Sequence, residues 1–187
     1  MYQSFVLALL RNPRQIGALA PSGQPLARAM ARAVDLAGKR ILEIGPGTGA
    51  ITEALLASGA SRKHLCLLER DNRLAKYLAV KFPDIRVITG DARAVSGLIE
   101  VNSEGAIDIV FSSLPLLNMN TADRISILEQ IVALLDERGT LIQYTYSARA
   151  PFSDEMTSRF GLKGERATTV FRNLPPASVW KYSRTIN

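Results

Sequence analysis

The chain has 187 residues, 47% hydrophobic and 21% charged, with 23 Lys+Arg against 17 Asp+Glu, one His and one Cys. That balance suits one globular domain and excludes a disordered or collagenous chain, while a lone Cys66 excludes a disulfide framework and points to a reducing cytoplasm. Net charge is +5 over residues 1–40, −3 over 41–148 and +4 over 149–187, so two basic ends flank a mildly acidic middle and suggest an anionic partner, nucleic acid or a membrane surface.

In chain order, the first apolar run, Phe5–Leu10, is too short to span a bilayer and has no basic region before it, so neither a membrane span nor a signal peptide is expected. As a helix, Met1–Leu10 would align Tyr2, Phe5, Val6 and Leu9 in one apolar stripe, with Arg11 and Arg14 just beyond. A helix opening at Ser22-Gly-Gln-Pro25 is predicted next, since proline suits a first helical turn. From residue 40, short apolar runs alternate with helical periodicity, the pattern of a parallel sheet covered by helices.

The predicted strands are Arg40–Ile44, His64–Glu69, Ile85–Thr89, Ile107–Ser112 and Thr140–Tyr146. Between them fall helices near Gly49–Ser58, Asn72–Phe82, Ala92–Ile99 and Ala122–Leu135, the last stopping at Arg138-Gly139. A short helix, Ser153–Phe160, and two strands, Glu165–Arg172 and Ala177–Arg184, complete the chain, and the connection Asn173-Leu-Pro-Pro176 joins antiparallel neighbours most readily. The fold class expected is an α/β sheet in one domain spanning 1–187, with residues 1–39 as an N-terminal helical segment and 40–187 as the core.

The chemistry concentrates in Ile41-Leu-Glu-Ile-Gly-Pro-Gly-Thr-Gly49, a strand entering a glycine-rich turn and then a helix. Glycines allow close backbone approach to a ligand and the helix start offers free N–H donors, though Gly45, Gly47 and Ala50 also satisfy a dinucleotide pattern. Three carboxylates tilt the choice. Glu43 precedes the turn, Glu69 closes the second strand, placed for two ribose hydroxyls, and Asp91 follows the third, as an acceptor for an adenine amino group. Three acids at strand ends would repel a phosphate-bearing cofactor and suit a sulfonium nucleoside carrying an ammonium group, S-adenosylmethionine.

Glu-Ile-Gly-Pro-Gly-Thr-Gly49, Glu69, Gly90-Asp91 and Ser112-Ser-Leu-Pro115 together resemble the motif series of class I methyltransferases. The resemblance implies a Rossmann-like seven-stranded sheet whose last strand is antiparallel. It also implies that Glu43, Gly45, Gly47 and Gly49 hold the methionine end of the cofactor. Glu69 and Arg70 would hold the ribose and flank the adenine, Asp91 and Ala92 would receive the base, and Ser112 belongs to the motif after the fourth strand. No metal site is expected.

Two branches of that family share the glycine motif. The ribosomal RNA adenine dimethyltransferases follow the fourth strand with Asn-(Leu/Ile)-Pro-Tyr, whereas this chain has Ser112-Ser-Leu-Pro-Leu-Leu117, lacking both the Asn and the aromatic that hold a flipped adenine. The chain also ends soon after the seventh strand, so an appended helical RNA-binding domain and a nucleic-acid partner are not expected. Ile16-Gly-Ala-Leu-Ala-Pro-Ser22, Ser112–Met119 and Arg172-Asn-Leu-Pro-Pro-Ala177 are instead similar to stretches of the short bacterial phospholipid N-methyltransferases. That likeness implies N-methylation of phosphatidylethanolamine, and of its mono- and dimethylated forms, toward phosphatidylcholine. It places the protein in the cytoplasm, peripherally on an anionic inner-membrane surface, without an obligate protein partner. The competing readings are methylation of another amino lipid or small amine, adenine N6-dimethylation of ribosomal RNA, and a non-catalytic binding module.

Tyr144 and Tyr146, alternating at the carboxyl end of the fifth strand, are the candidate catalytic residues, able to hydrogen-bond the substrate amine or stabilise the methylated ammonium over a ring. Arg149, Arg172 and Lys181 are cations available to a lipid phosphate. His64 and Cys66 read as structural residues of the second strand.

Overall fold

The computed structural model describes residues 20–99, 105–173 and 175–185. The apolar stripe of Met1–Leu10, Arg11, Arg14 and most of the Ile16–Ser22 motif lie outside the described residues. Helix α1 (Ala20–Ala31) leads into β1 (Ile41–Ile44), α2 (Ala50–Ala57), β2 (Leu65–Glu69), α3 (Asn72–Lys81) and β3 (Arg86–Thr89). There follow α4 (Val95–Leu98), β4 (Ile107–Ser112), α5 (Thr121–Leu134), β5 (Leu135–Thr145), α6 (Asp154–Ser158), β6 (Leu162–Val170) and β7 (Ala177–Arg184). The strands form one seven-stranded sheet in the order β3-β2-β1-β4-β5-β7-β6. Strands β1 to β5 pair in parallel, and β7 runs antiparallel to both neighbours, as the Pro-Pro connection suggested.

Strand alternation divides the core into two layers. Ile41 on β1, Leu65 and Leu67 on β2, Ile109 and Phe111 on β4 and Ile142 on β5 face Leu26 and Met30 of α1, Leu55 of α2 and Leu78 of α3. Leu42 and Ile44, Leu68, Val110 and Leu141 face the other way, against Ile127, Leu128, Ile131 and Leu134 of α5, with Phe152 and Tyr182. Chain order reverses where β1 lies between β2 and β4, and open α/β sheets hold ligands outside the carboxyl ends of the strands at such a reversal.

Several boundaries differ from the sequence expectation. Helix α1 begins at Ala20, so Pro25 sits inside it rather than in its first turn. The segment from Ala92 divides into a 3-10 turn, Ala92–Ala94, and the one-turn helix α4. His64 belongs to a 3-10 turn, Arg62–His64, ahead of β2. Helix α5 ends at Leu134, and β5 starts at Leu135 instead of Thr140. Leu135 already pairs with Ile107 while the next pairing joins Ile109 to Thr140, so residues 136–139 bulge from the strand. There Asp136 Oδ1 accepts the Arg138 N–H at 3.0 Å, and a Cβ on Gly139 would stand 2.9 Å from the Asp136 carbonyl oxygen. Strand β6 starts at Leu162, three residues early, because antiparallel pairing with Arg184 extends it beyond the β-rich stretch.

Candidate cofactor and substrate site

The turn after β1 is built around three residues with positive φ, Gly45 (72°), Gly47 (60°) and Gly49 (85°). At Gly49 the left-handed backbone and the space both demand glycine, since a Cβ would lie 2.6 Å from Phe82 Cε2. The turn leaves β1 with the Gly45 N–H donating to the Leu68 carbonyl at 2.8 Å. It is then held by Glu69, whose Oε2 accepts the Gly47 N–H at 3.1 Å and whose Oε1 accepts the Asp71 N–H at 3.0 Å. Glu69 therefore joins the glycine turn to the start of α3, where the Asp71 side chain accepts from the Arg73 and Leu74 N–H groups as N-cap. Those N–H groups hold the Asp71 carboxyl below the usual range.

A cavity of about 340 Å³ opens beside this turn, within the size range of small-molecule sites. Gly45, Glu69, Arg70, Asp91 and Ala92 all line it, so strand ends far apart in sequence are brought together there. Its apolar wall is Ile44, Leu68, Leu114, Met119 and Ile127. Glu43, Gly47, Gly49, Ser112 and the two candidate catalytic residues, Tyr144 and Tyr146, lie outside this lining.

Glu43 is fully buried on the opposite face of β1 from Ile44, where Thr52 of α2 donates to its Oε2 at 2.7 Å and its Oε1 has no partner among the described residues. Burial pushes the Glu43 carboxyl up to about 7, against the lowering effect of the Thr52 hydrogen bonds. Ser112 is buried at the end of β4, beside Gln143 of β5 in register. Gln143 Nε2 donates to the Leu114 carbonyl at 3.0 Å and to the Tyr144 carbonyl at 2.8 Å, fixing the segment that follows β4. Tyr144 and Tyr146 do share a face, with ring centroids 5.5 Å apart in an edge-to-face arrangement. Tyr144 packs against the α1 layer, and Tyr146 is exposed.

Arg93 and the opening of α5 belong to the site but were not singled out in the sequence. Arg93 Nη2 donates to Asp91 Oδ2 at 2.8 Å and its Nη1 to Asp123 Oδ1 at 3.1 Å, joining two carboxylates across the cavity wall. These contacts, with Arg70 Nη1 at 3.8 Å, hold the Asp91 carboxyl down at about 2. Asn120 caps α5, accepting the Asp123 N–H at 2.8 Å while its Nδ2 donates to Asp123 Oδ2 at 2.9 Å. Asn120-x-x-Asp123 ahead of an apolar helix is a capping signature that sequence alone could have supplied.

Comparison with known proteins agrees with this geometry. Residues 26–116 match the family model of ribosomal RNA adenine dimethylases. The chain is 28% identical to an ornithine lipid N-methyltransferase of Singulisphaera acidiphila over 94% of this chain and 92% of that protein. It is 37% identical to a ribosomal RNA small subunit methyltransferase A of Paracoccus denitrificans, but over 48% of this chain and 33% of that protein. Among solved structures, 1,6-didemethyltoxoflavin-N1-methyltransferase of Burkholderia thailandensis superposes with a TM-score of 0.71 at 16% identity, covering 98% of this chain and 87% of that one. Strand order, glycine turn and relatives converge: the chain is a class I S-adenosylmethionine-dependent methyltransferase that resembles the lipid N-methyltransferases.

Proposed function

We propose that this protein N-methylates the primary amine of a membrane lipid at the inner face of a bacterial membrane. The carrying observation is coverage. Likeness to the ornithine lipid N-methyltransferase runs through 94% of the chain, substrate half included, whereas the RNA-enzyme family model matches residues 26–116. The motifs Ser112–Met119 and Arg172–Ala177 favour phosphatidylethanolamine and its mono- and dimethylated forms as the headgroup. The ornithine-lipid relative favours an ornithine headgroup as the second reading. Both present an amine on a lipid.

The residues present fit S-adenosylmethionine. Glycines at 45, 47 and 49 leave the turn without side chains, Glu69 and Asp91 line the adjoining cavity, and Ile44, Leu68, Ala92 and Ile127 offer an apolar bed for a base. When bound, this cofactor supplies an electrophilic methyl group on a sulfonium and a good leaving group. Glu69 would accept from ribose hydroxyls, Arg70 flank the adenine, and Asp91 accept from its amino group. Glu43, beneath the turn, would offer to the positive methionine end its Oε1, which is unpaired among the described residues.

The chain's remaining task is to present an amine with a free lone pair. An alkylamine of lysine type has a pKa of about 10.4, so it arrives protonated and must lose that proton before attack. Desolvation at the site would lower that pKa so that the proton passes to water, after which the Tyr146 Oη would accept a hydrogen bond from a remaining N–H and a tyrosine ring would stabilise the ammonium formed. Orientation supplies most of the acceleration. The test is methyl transfer into vesicles of phosphatidylethanolamine and, separately, of ornithine lipid, with products read by mass. Gain of one to three methyl groups by either lipid supports the reading and chooses the headgroup. Cofactor binding with no product from either, together with methylation of RNA, would overturn it.

A further inference from the structure

Strands β5 and β6 point their carboxyl ends toward the same edge of the sheet, since β7 pairs antiparallel with both. At that edge Val170 stands opposite Ala177 and Thr145 opposite Ser178, so Tyr146 and Phe171 are each the next residue beyond the paired rows. Two of the exposed large apolar side chains among the described residues directly follow carboxyl strand ends in this way, Tyr146 (55% exposed) after β5 and Phe171 (80%) after β6. Phe171 and Arg172 occupy the two central positions of a β-turn closed by the Asn173 N–H donating to the Val170 carbonyl at 3.3 Å. Such positions ordinarily carry polar residues, and a phenylalanine standing clear of the protein there offers an apolar side chain to a partner.

The edge is held in shape. Asn173 is buried and its Nδ2 donates to the Pro175 carbonyl at 2.8 Å, bracing the turn from inside. Arg166 of β6 lies over the Trp180 ring at 5.2 Å and donates from Nη2 to the Ala148 carbonyl at 2.9 Å, tying the loop after β5 to the hairpin. Arg149 in that loop and Arg172 in the turn are exposed, and no carboxylate of the described residues pairs with either. Lys181 differs, lying within β7 with Glu165 Oε1 at 3.9 Å.

We propose that the β6–β7 hairpin tip is a membrane-docking point, with Phe171 entering the headgroup–acyl boundary while Arg172 and Arg149 meet anionic lipid phosphates. The partner is a lipid surface because this edge pairs unbalanced cations with two exposed aromatic side chains, Tyr146 and Phe171. Interfacial segments carry that combination. Docking there sets the carboxyl end of the sheet, where the cavity opens, against the bilayer. The proposal rests on the amino-lipid reading for its choice of partner, and it is separate from any contact made by the N-terminal stripe.

The test uses the full chain and vesicles of phosphatidylcholine with phosphatidylglycerol, which carry no primary amine, so binding is read apart from turnover. Phe171→Asp should weaken vesicle sedimentation by about tenfold, as expected for one interfacial phenylalanine, with S-adenosylmethionine binding unchanged as the control for folding. Phe171→Trp should restore sedimentation and add a blue-shifted fluorescence on vesicle contact that Trp180 alone does not give. Equal binding by Phe171→Asp and the unaltered protein, or no shift in Phe171→Trp, would overturn the docking point. Loss of self-association or of single-stranded RNA binding in Phe171→Asp, with vesicle binding intact, would overturn it in favour of a second copy or RNA. A vesicle result as expected with no lipid methylated would sink the substrate reading and leave the docking surface standing.

Discussion

Glu43 offers the sharpest physical test, through Glu43→Gln followed across pH. The buried carboxyl titrates near 7 in the folded protein against an ordinary 4.5. A raised acid pKa means that the folded state keeps a proton the unfolded chain has already lost. Stability from this group is therefore greatest below pH 4.5, declines as pH rises toward 7, and is level above it. The gap corresponds to about 3–4 kcal/mol at roughly 1.4 kcal/mol per pKa unit, and most of it falls between about pH 5 and pH 8. Glutamine keeps the shape and a partner for Thr52 Oγ1 but does not titrate. Urea unfolding of both proteins without cofactor should show the stability difference moving by about 2–3 kcal/mol in favour of Gln from pH 5 to pH 8. Any fixed cost of the substitution cancels in that comparison. A pH-independent difference, or a trend of opposite sign, would refute the buried, mostly protonated Glu43.

Glu69→Gln keeps the side-chain volume but turns one acceptor toward an N–H as a donor. Calorimetry should show S-adenosylmethionine binding weakened by about tenfold or more, in line with loss of a hydrogen bond to a charged group. Gly49→Ala combines strain at φ 85° with a Cβ 2.6 Å from Phe82, and denaturant unfolding should register a loss of about 2 kcal/mol or more. Gly59→Ala, at φ 99° but with no atom within 4 Å, should cost about 1 kcal/mol, so equal losses would dismiss the steric part. Tyr182→Phe removes the buried hydroxyl oxygen that accepts the Phe152 N–H at 3.2 Å, an expected loss of about 1–3 kcal/mol in the same measurement. Tyr146→Phe tests the hydroxyl in catalysis, with lower kcat expected at unchanged cofactor affinity; unchanged turnover removes that hydroxyl from the mechanism.

Local signals made the architecture legible. Ile41–Ile44 into a triple-glycine turn, the apolar run Leu65–Glu69 and the Pro-Pro connection before Ala177 each carry their pattern or turn chemistry within a few residues, and those elements stand close to where they were expected. Boundaries that depend on pairing did not, as Leu135 shows: it reads as the tail of α5 until Ile107 claims it for the sheet. The site divides the same way. Glu69, Asp91 and Ala92 announce themselves as strand-end residues. The bond from Arg93 to Asp123 joins positions 30 residues apart, and no periodicity marks it. Which face of β1 buries Glu43, and hence its pKa, depends on α2 packing over that face. The meeting of Tyr146 and Phe171 at one edge depends on β7 reversing direction between β5 and β6. Sequence determines what each segment tends to become. Burial and proximity of charges are properties of segments brought together, so only the tertiary structure decides them.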